Sequence, residues 1–115
     1  MKKIWFDEAW EDYEYWQLQD KKTIKRINML LKDIERGSFD GIGKPESLKG
    51  ELSGFWSRRI DEVNRLVYRV SKNTLEILSC ADITRINRNE VIYKYKKISI
   101  DEFIYRIKRL SHLGT

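Results

Sequence analysis

The chain has 115 residues, of which 36% are charged, with a net charge of +5 and a mean hydropathy of −0.63. That length suits one domain with a modest core. No apolar run nears the ~20 residues of a membrane-spanning helix, and the acids that follow Met1-Lys-Lys-Ile-Trp argue against a secretory leader. One cysteine, Cys80, and one histidine, His112, make an internal disulfide impossible and a zinc site unexpected, so a cytoplasmic protein without metal or other cofactor is the expectation.

In chain order, Lys2 to Phe6 is a short strand candidate. Asp7 is a candidate N-cap for a first helix, with Glu8, Glu11 and Asp12 suited to its first turn. Phe6, Trp10, Tyr13 and Trp16 or Gln17 recur at helical spacing and are expected in the core. Asp20 is expected to cap a second helix, whose apolar stripe is Ile24, Ile27, Leu31 and Ile34 and whose end is Gly37. Lys21, Lys22, Lys25, Arg26 and Lys32 fall mostly off that stripe, on a solvated face or one that contacts RNA. A glycine-rich loop, 37–43, precedes a hairpin, Phe55 to Ile60 and Arg65 to Val70, turning at Asp61-Glu62. A third strand, Thr74 to Cys80, follows the turn Ser71-Lys72-Asn73. Two helices and then an antiparallel meander, joined by the first strand, make an α+β fold of two layers.

The stretch from Lys44 to Tyr68 organises the chain. One carboxylate, Glu46, follows the only proline, and Lys44, Lys49, Arg58, Arg59 and Arg65 surround it in sequence. Alternation along the strands lets Arg59 and Arg65 project from one sheet face beside Glu46. A lone carboxylate among cations suits metal-free cleavage of RNA, with the base taking a proton from a ribose 2′-hydroxyl and the cations stabilising the charge on phosphorus. The same residues also suit a solvated hairpin. Residues 1–80 carry 15 Lys+Arg against 14 Asp+Glu, and residues 81–115 carry 8 against 4. Local clustering rather than net charge is therefore the argument for RNA.

The wording of several segments resembles the YoeB family of toxins, within the RelE/ParE superfamily of bacterial toxin–antitoxin systems. They are Ile4-Trp5 through Trp10, Asp12, Tyr13, Tyr15 and Trp16; Gly43-Lys-Pro-Glu-Ser-Leu-Lys49; Leu52-Ser-Gly-Phe-Trp-Ser-Arg-Arg-Ile60; and Asn64-Arg-Leu-Val-Tyr68. The resemblance runs from residue 1 to about residue 80. It implies a RelE/ParE-like two-layer fold, two N-terminal helices on a small twisted antiparallel sheet, and cleavage of messenger RNA in the ribosomal decoding site. Glu46 matches the family's general base and Arg65 its phosphate-stabilising arginine. Lys49 matches a basic residue near the scissile phosphate and Arg59 a position of the basic groove, while Lys44 and Arg58 join the RNA-binding set. The implied partners are a YefM-like antitoxin whose disordered tail folds on contact, messenger and ribosomal RNA, and a second copy in a homodimer.

The family ends in a short His-Tyr terminus, the His acting as general acid. This chain has Ile83-Thr84 there, and neither residue protonates an alkoxide. Loss of a general acid typically costs ~10²–10⁴ in rate, so an attenuated ribonuclease is the leading expectation. A catalytically inactive protein that binds or titrates an antitoxin is the alternative, and a plain RNA-binding module a third. Residues 81–115 form a separate, atypical extension. Glu90 to Ser99 is a strand candidate, Ser99-Ile-Asp-Glu102 is a capping-box signature, and Ile100, Phe103, Ile104, Ile107 and Leu110 make a helical stripe closed by Gly114. Among the degenerate codings of Ala81-Asp-Ile-Thr-Arg85, one is GCG GAC ATT ACT AGA. Read one frame over from the last base of a TGC cysteine codon, this becomes CGC GGA CAT TAC TAG, or Arg-Gly-His-Tyr-stop. The extension is therefore a candidate for frameshift read-through, although its capping box and apolar stripe argue for a real helix.

Overall fold

A computed structural model describes residues 1–81, 83–86, 90–93 and 96–99. Strand β1 (Lys2–Trp5) leads into helix α1 (Asp7–Gln19) and helix α2 (Lys21–Arg36). Strands β2 (Glu46–Ser47), β3 (Trp56–Arg59), β4 (Arg65–Ser71) and β5 (Thr74–Ser79) follow, with a short 3-10 turn at Gly50–Leu52. They form one sheet in the order β1-β5-β4-β3-β2. The meander β2 to β5 is antiparallel, but β1 lies parallel to β5, so the sheet is mixed rather than wholly antiparallel. The reason is that α1 and α2 return the chain across one face before the meander begins.

Helix α2 starts where Asp20 accepts the Lys22 and Thr23 amides and ends at Gly37, whose amide bonds to the Asp33 carbonyl at 2.9 Å. Its expected stripe is buried at Ile27, Leu31 and Ile34, with Leu30 added and Ile24 half-buried. These side chains meet Leu66, Tyr68, Leu75 and Ile77 from the sheet. Each buried aliphatic chain stabilises the fold by roughly 1.5–3 kcal/mol.

Helix α1 departs from its reading in two ways. Asp7 is its first helical residue; Phe6 holds the cap position and makes no side-chain cap bond. Of the aromatics expected in the core Phe6 is buried, whereas Trp10 is 45% exposed and Tyr13 and Trp16, with Trp5, are only partly buried at its margin. Ala9 and Asp12 are the buried positions of α1, because a ring as large as indole reaches the core edge from the flank of the helix.

Residues Ile83–Ile86, Glu90–Tyr93 and Lys96–Ser99 form strands β6, β7 and β8 of a three-stranded sheet. The single strand expected over Glu90 to Ser99 is thus two antiparallel strands, Tyr93 opposite Lys96, which pair backbone groups that one isolated strand leaves open. The helix expected over residues 100–114 lies outside the described residues.

Candidate active site

Register decides which side chains share a face. Glu46 lies opposite Ser57, Ser57 opposite Val67, and Arg59 opposite Arg65. Glu46, Arg59 and Arg65 therefore stand on the sheet face turned away from the helices, while Leu66 and Tyr68 point into the helix-covered core. The Arg65 Nη1 and a Glu46 carboxylate oxygen are 4.0 Å apart. The Glu46 side chain is 67% exposed and that of Arg65 22%, so the carboxylate is open to a ligand while the guanidinium is braced. Lys44 and Lys49 are exposed on either side of Glu46 in the chain.

The loop before Glu46 is built to close tolerances. Gly43 has φ +80°, and a Cβ there would lie 2.8 Å from the Leu30 side chain and 3.1 Å from that of Arg58. Its carbonyl accepts the Arg59 amide at 2.7 Å. Lys44 follows with φ +50°, a left-handed conformation disfavoured for a residue with a Cβ. Pro45 then leads into β2, so loop backbone and strand pairing together set the height of Glu46 above the sheet.

Arg58 is the exception among the expected RNA-binding residues. It is fully buried, on the helix face of β3, because it alternates with Ser57 and Arg59. Its Nη1 donates to Asp33 Oδ2 at 2.6 Å and to the Ile42 carbonyl at 3.2 Å. Its Nη2 donates to the carbonyls of Gly37 and Asp40 at 2.6 and 2.8 Å, and its Nε to the Tyr68 hydroxyl at 3.1 Å. The Tyr68 hydroxyl in turn donates to the Ser38 carbonyl at 2.7 Å, and burial pushes its phenol above the ordinary value. The Ile42 amide, and then the Arg58 guanidinium, hold the Asp33 carboxyl below its ordinary value. Arg58 is a staple for the 37–43 loop, with no donor left for RNA; its assignment to the RNA-binding set is corrected on that ground.

Sequence reasoning also missed the residues that hold the chain as it leaves β5. Asp12, read as a first-turn acid, accepts the Cys80 amide at 3.1 Å, and the Trp16 indole donates to the Cys80 carbonyl at 2.8 Å. The Arg65 amide donates to the Ala81 carbonyl at 3.2 Å. The segment after Cys80 thus departs beside Arg65. The only available signal was a single acid inside an aromatic helix face, which spacing alone does not distinguish from a dipole partner.

A family model described as the YoeB-like toxin of bacterial type II toxin–antitoxin systems matches residues 5–83. The chain belongs to that family. Toxin YoeB of Escherichia coli K12 is 58% identical over 80 residues, which are 70% of this chain and 95% of that toxin. The YoeB dimer from Staphylococcus aureus superposes with a TM-score of 0.68 at 50% identity, covering 70% of this chain and 94% of the YoeB chain. The heterotetrameric YoeB–YefM toxin–antitoxin complex from the same organism gives 0.68 at 49% identity, with the same coverage. These YoeB relatives are covered almost to their full length, and the remainder of this chain lies outside the match. Among the described residues, no helix is long and apolar enough to cross a membrane.

Proposed function

We propose that this toxin is a ribosome-dependent messenger endoribonuclease attenuated at its terminus. The observation that carries the reading is the approach of Arg65 to Glu46 at 4.0 Å on the sheet face turned away from the helices, with Arg59 beside them and the Glu46 carboxylate exposed. Glu46 takes the proton of a ribose 2′-hydroxyl, and the freed oxygen attacks the adjacent phosphorus. Arg65 stabilises the charge gathering on the phosphoryl oxygens, with Arg59 and Lys49 holding the flanking backbone. The missing part is a donor for the departing 5′-oxygen, since Ile83 and Thr84 stand where the family has His-Tyr.

The test is induction in a bacterium that lacks a matching antitoxin. Growth arrest with cleavage of messengers at codons, lost in Glu46→Gln, supports the enzyme. A second reading follows from the Ile83-Thr84 terminus, that of an inactive chain which binds and titrates a YefM-like antitoxin. Normal growth together with co-purification of that antitoxin would select it. Both readings use a cytoplasmic protein and accommodate a homodimer. We further propose that residues 1–80 are the toxin unit and that residues 81–115 derive from a one-base frameshift. Sequencing the gene across the Cys80 codon decides this, and a reading frame in which no one-base change restores His-Tyr-stop rules it out.

A further inference from the structure

The face that carries Glu46 continues past it. Two residues back along the β3 line, about 7 Å at the rise of a strand, Phe55 is on the same side as Ser57. Its carbonyl accepts the Leu48 amide at 2.9 Å, which extends the β2–β3 ladder to this row. Across from it stands Arg69, whose guanidinium lies over the Phe55 ring with 4.8 Å from Cζ to centroid. Arg69 Nη2 also donates to Glu76 Oε2 at 2.6 Å. The guanidinium is therefore held over an aromatic ring, yet 41% of its side chain remains exposed.

The two rows of this face differ in electrical character. On the side of the Glu46 row away from Phe55, Arg65 meets the Glu46 carboxylate only at 4.0 Å and Arg59, paired with Arg65, is exposed. In the Phe55 row, the Arg69 charge is matched by a close carboxylate, so the row presents a planar, polarisable, nearly neutral surface. A phosphate gains little there, whereas a nucleobase gains from stacking on a ring and a guanidinium plane. Four residues along the strands, about 13 Å, separate the Arg59–Arg65 row from the Phe55–Arg69 row, a span from one backbone phosphate to a base about one nucleotide further along an extended strand.

We infer that Phe55 and Arg69 form a stacking subsite for one nucleobase of an RNA strand whose phosphate lies over Arg65. This rests on the RNA-cleaving reading of the Glu46 face and adds to it a site for a base.

The experiment measures equilibrium binding of the full chain to a short RNA made uncleavable by 2′-O-methylation, at several salt concentrations. A series of oligonucleotides, each lacking one base, is compared with the intact strand. For the wild-type protein, removal of one particular base weakens binding about tenfold, the size of a base–aromatic stack. That factor stays the same as salt rises, because no counterion is released by stacking. Phe55→Leu weakens the intact strand by a similar factor and leaves the strand abasic at that position unaffected, while Phe55→Trp binds as wild type. Arg69→Gln gives an independent partial loss should Phe55→Leu not fold. RNA binding that is insensitive to every base removal, or base sensitivity that persists unchanged in both variants, overturns the stacking subsite and leaves the ribonuclease reading intact. Failure of the folded full chain to bind any RNA overturns the subsite, and the ribonuclease reading is then decided separately by the induction test.

Discussion

At the scale of single residues, the two arginines next to each other in sequence, Arg58 and Arg59, have opposite fates. Arg59 is exposed on the Glu46 face, and Arg58 is buried with five hydrogen bonds to the 37–43 loop, Asp33 and Tyr68. Arg58→Met removes the cation and strands the Asp33 carboxylate and three carbonyls, so stability falls by roughly 3–5 kcal/mol, read as a lower denaturant midpoint. Asp33 adds a pH dependence. Its carboxyl titrates lower in the folded chain than in the unfolded one, so its contribution is fully present at neutral pH. It disappears as pH falls from about 4, the ordinary carboxylate value, through the folded one. The melting temperature of Asp33→Asn is therefore below wild type at pH 7, and the gap narrows on acidification; a gap that is constant with pH contradicts the pairing. For chemistry, Glu46→Gln abolishes any cleavage with the fold retained. Arg65→Lys keeps the charge but loses the two-pronged geometry, so cleavage drops; equal activity of the lysine variant would argue against a bidentate phosphate contact.

At the scale of elements, strand register does the work that composition does not. Pairing of Trp56 with Tyr68 and of Arg59 with Arg65 sorts an alternating run into a core face and a site face. A one-residue slip would exchange Arg58 and Arg59. In the β4–β5 hairpin, Lys72 and Asn73 have φ +48° and +63°, the left-handed pair that a two-residue turn of matching twist demands. A lysine carries a steric cost there of about 1 kcal/mol. The double change Lys72→Asn, Asn73→Gly relieves it and raises stability by about that amount, measured by chemical denaturation. A neutral or destabilising result would mean that Lys72 makes a compensating contact.

At the scale of the whole molecule, the site is assembled from distant parts of the chain. Asp12 and Trp16 of α1 hold the backbone at Cys80, and Arg65 holds Ala81, so the first helix determines where the chain leaves the sheet. If the absent acid limits function, truncation after Cys80 with Arg-Gly-His-Tyr appended delivers an imidazole beside Glu46 and Arg65. Its unperturbed pKa of ~6.5 suits proton donation near neutrality. The repaired chain is expected to cut messenger on ribosomes and arrest growth, and a bare truncation at Cys80 to do neither efficiently. A repaired chain that folds and binds ribosomes without cutting would place the defect within residues 1–80.

The sequence by itself determined β1, α1, α2, β3, β4 and β5 and their order, but not β2, β6 or the division of Glu90 to Ser99 into β7 and β8. The Asp20 cap, the apolar stripe of α2, the hairpin alternation and the polar turns are all local signals, written within a few residues of where they act. It also singled out Glu46 and Arg65, because several segments resembled one family in the right order. Only the tertiary structure separated Arg58 from Arg59, since a charge on a strand is legible but the face it takes depends on pairing with a partner strand. Only the tertiary structure, too, turned β1 parallel to β5 and brought Asp12 to Cys80 and Phe55 to Arg69. Those contacts join positions up to 72 residues apart, Lys2 opposite Thr74, and no local period encodes a distance of that length.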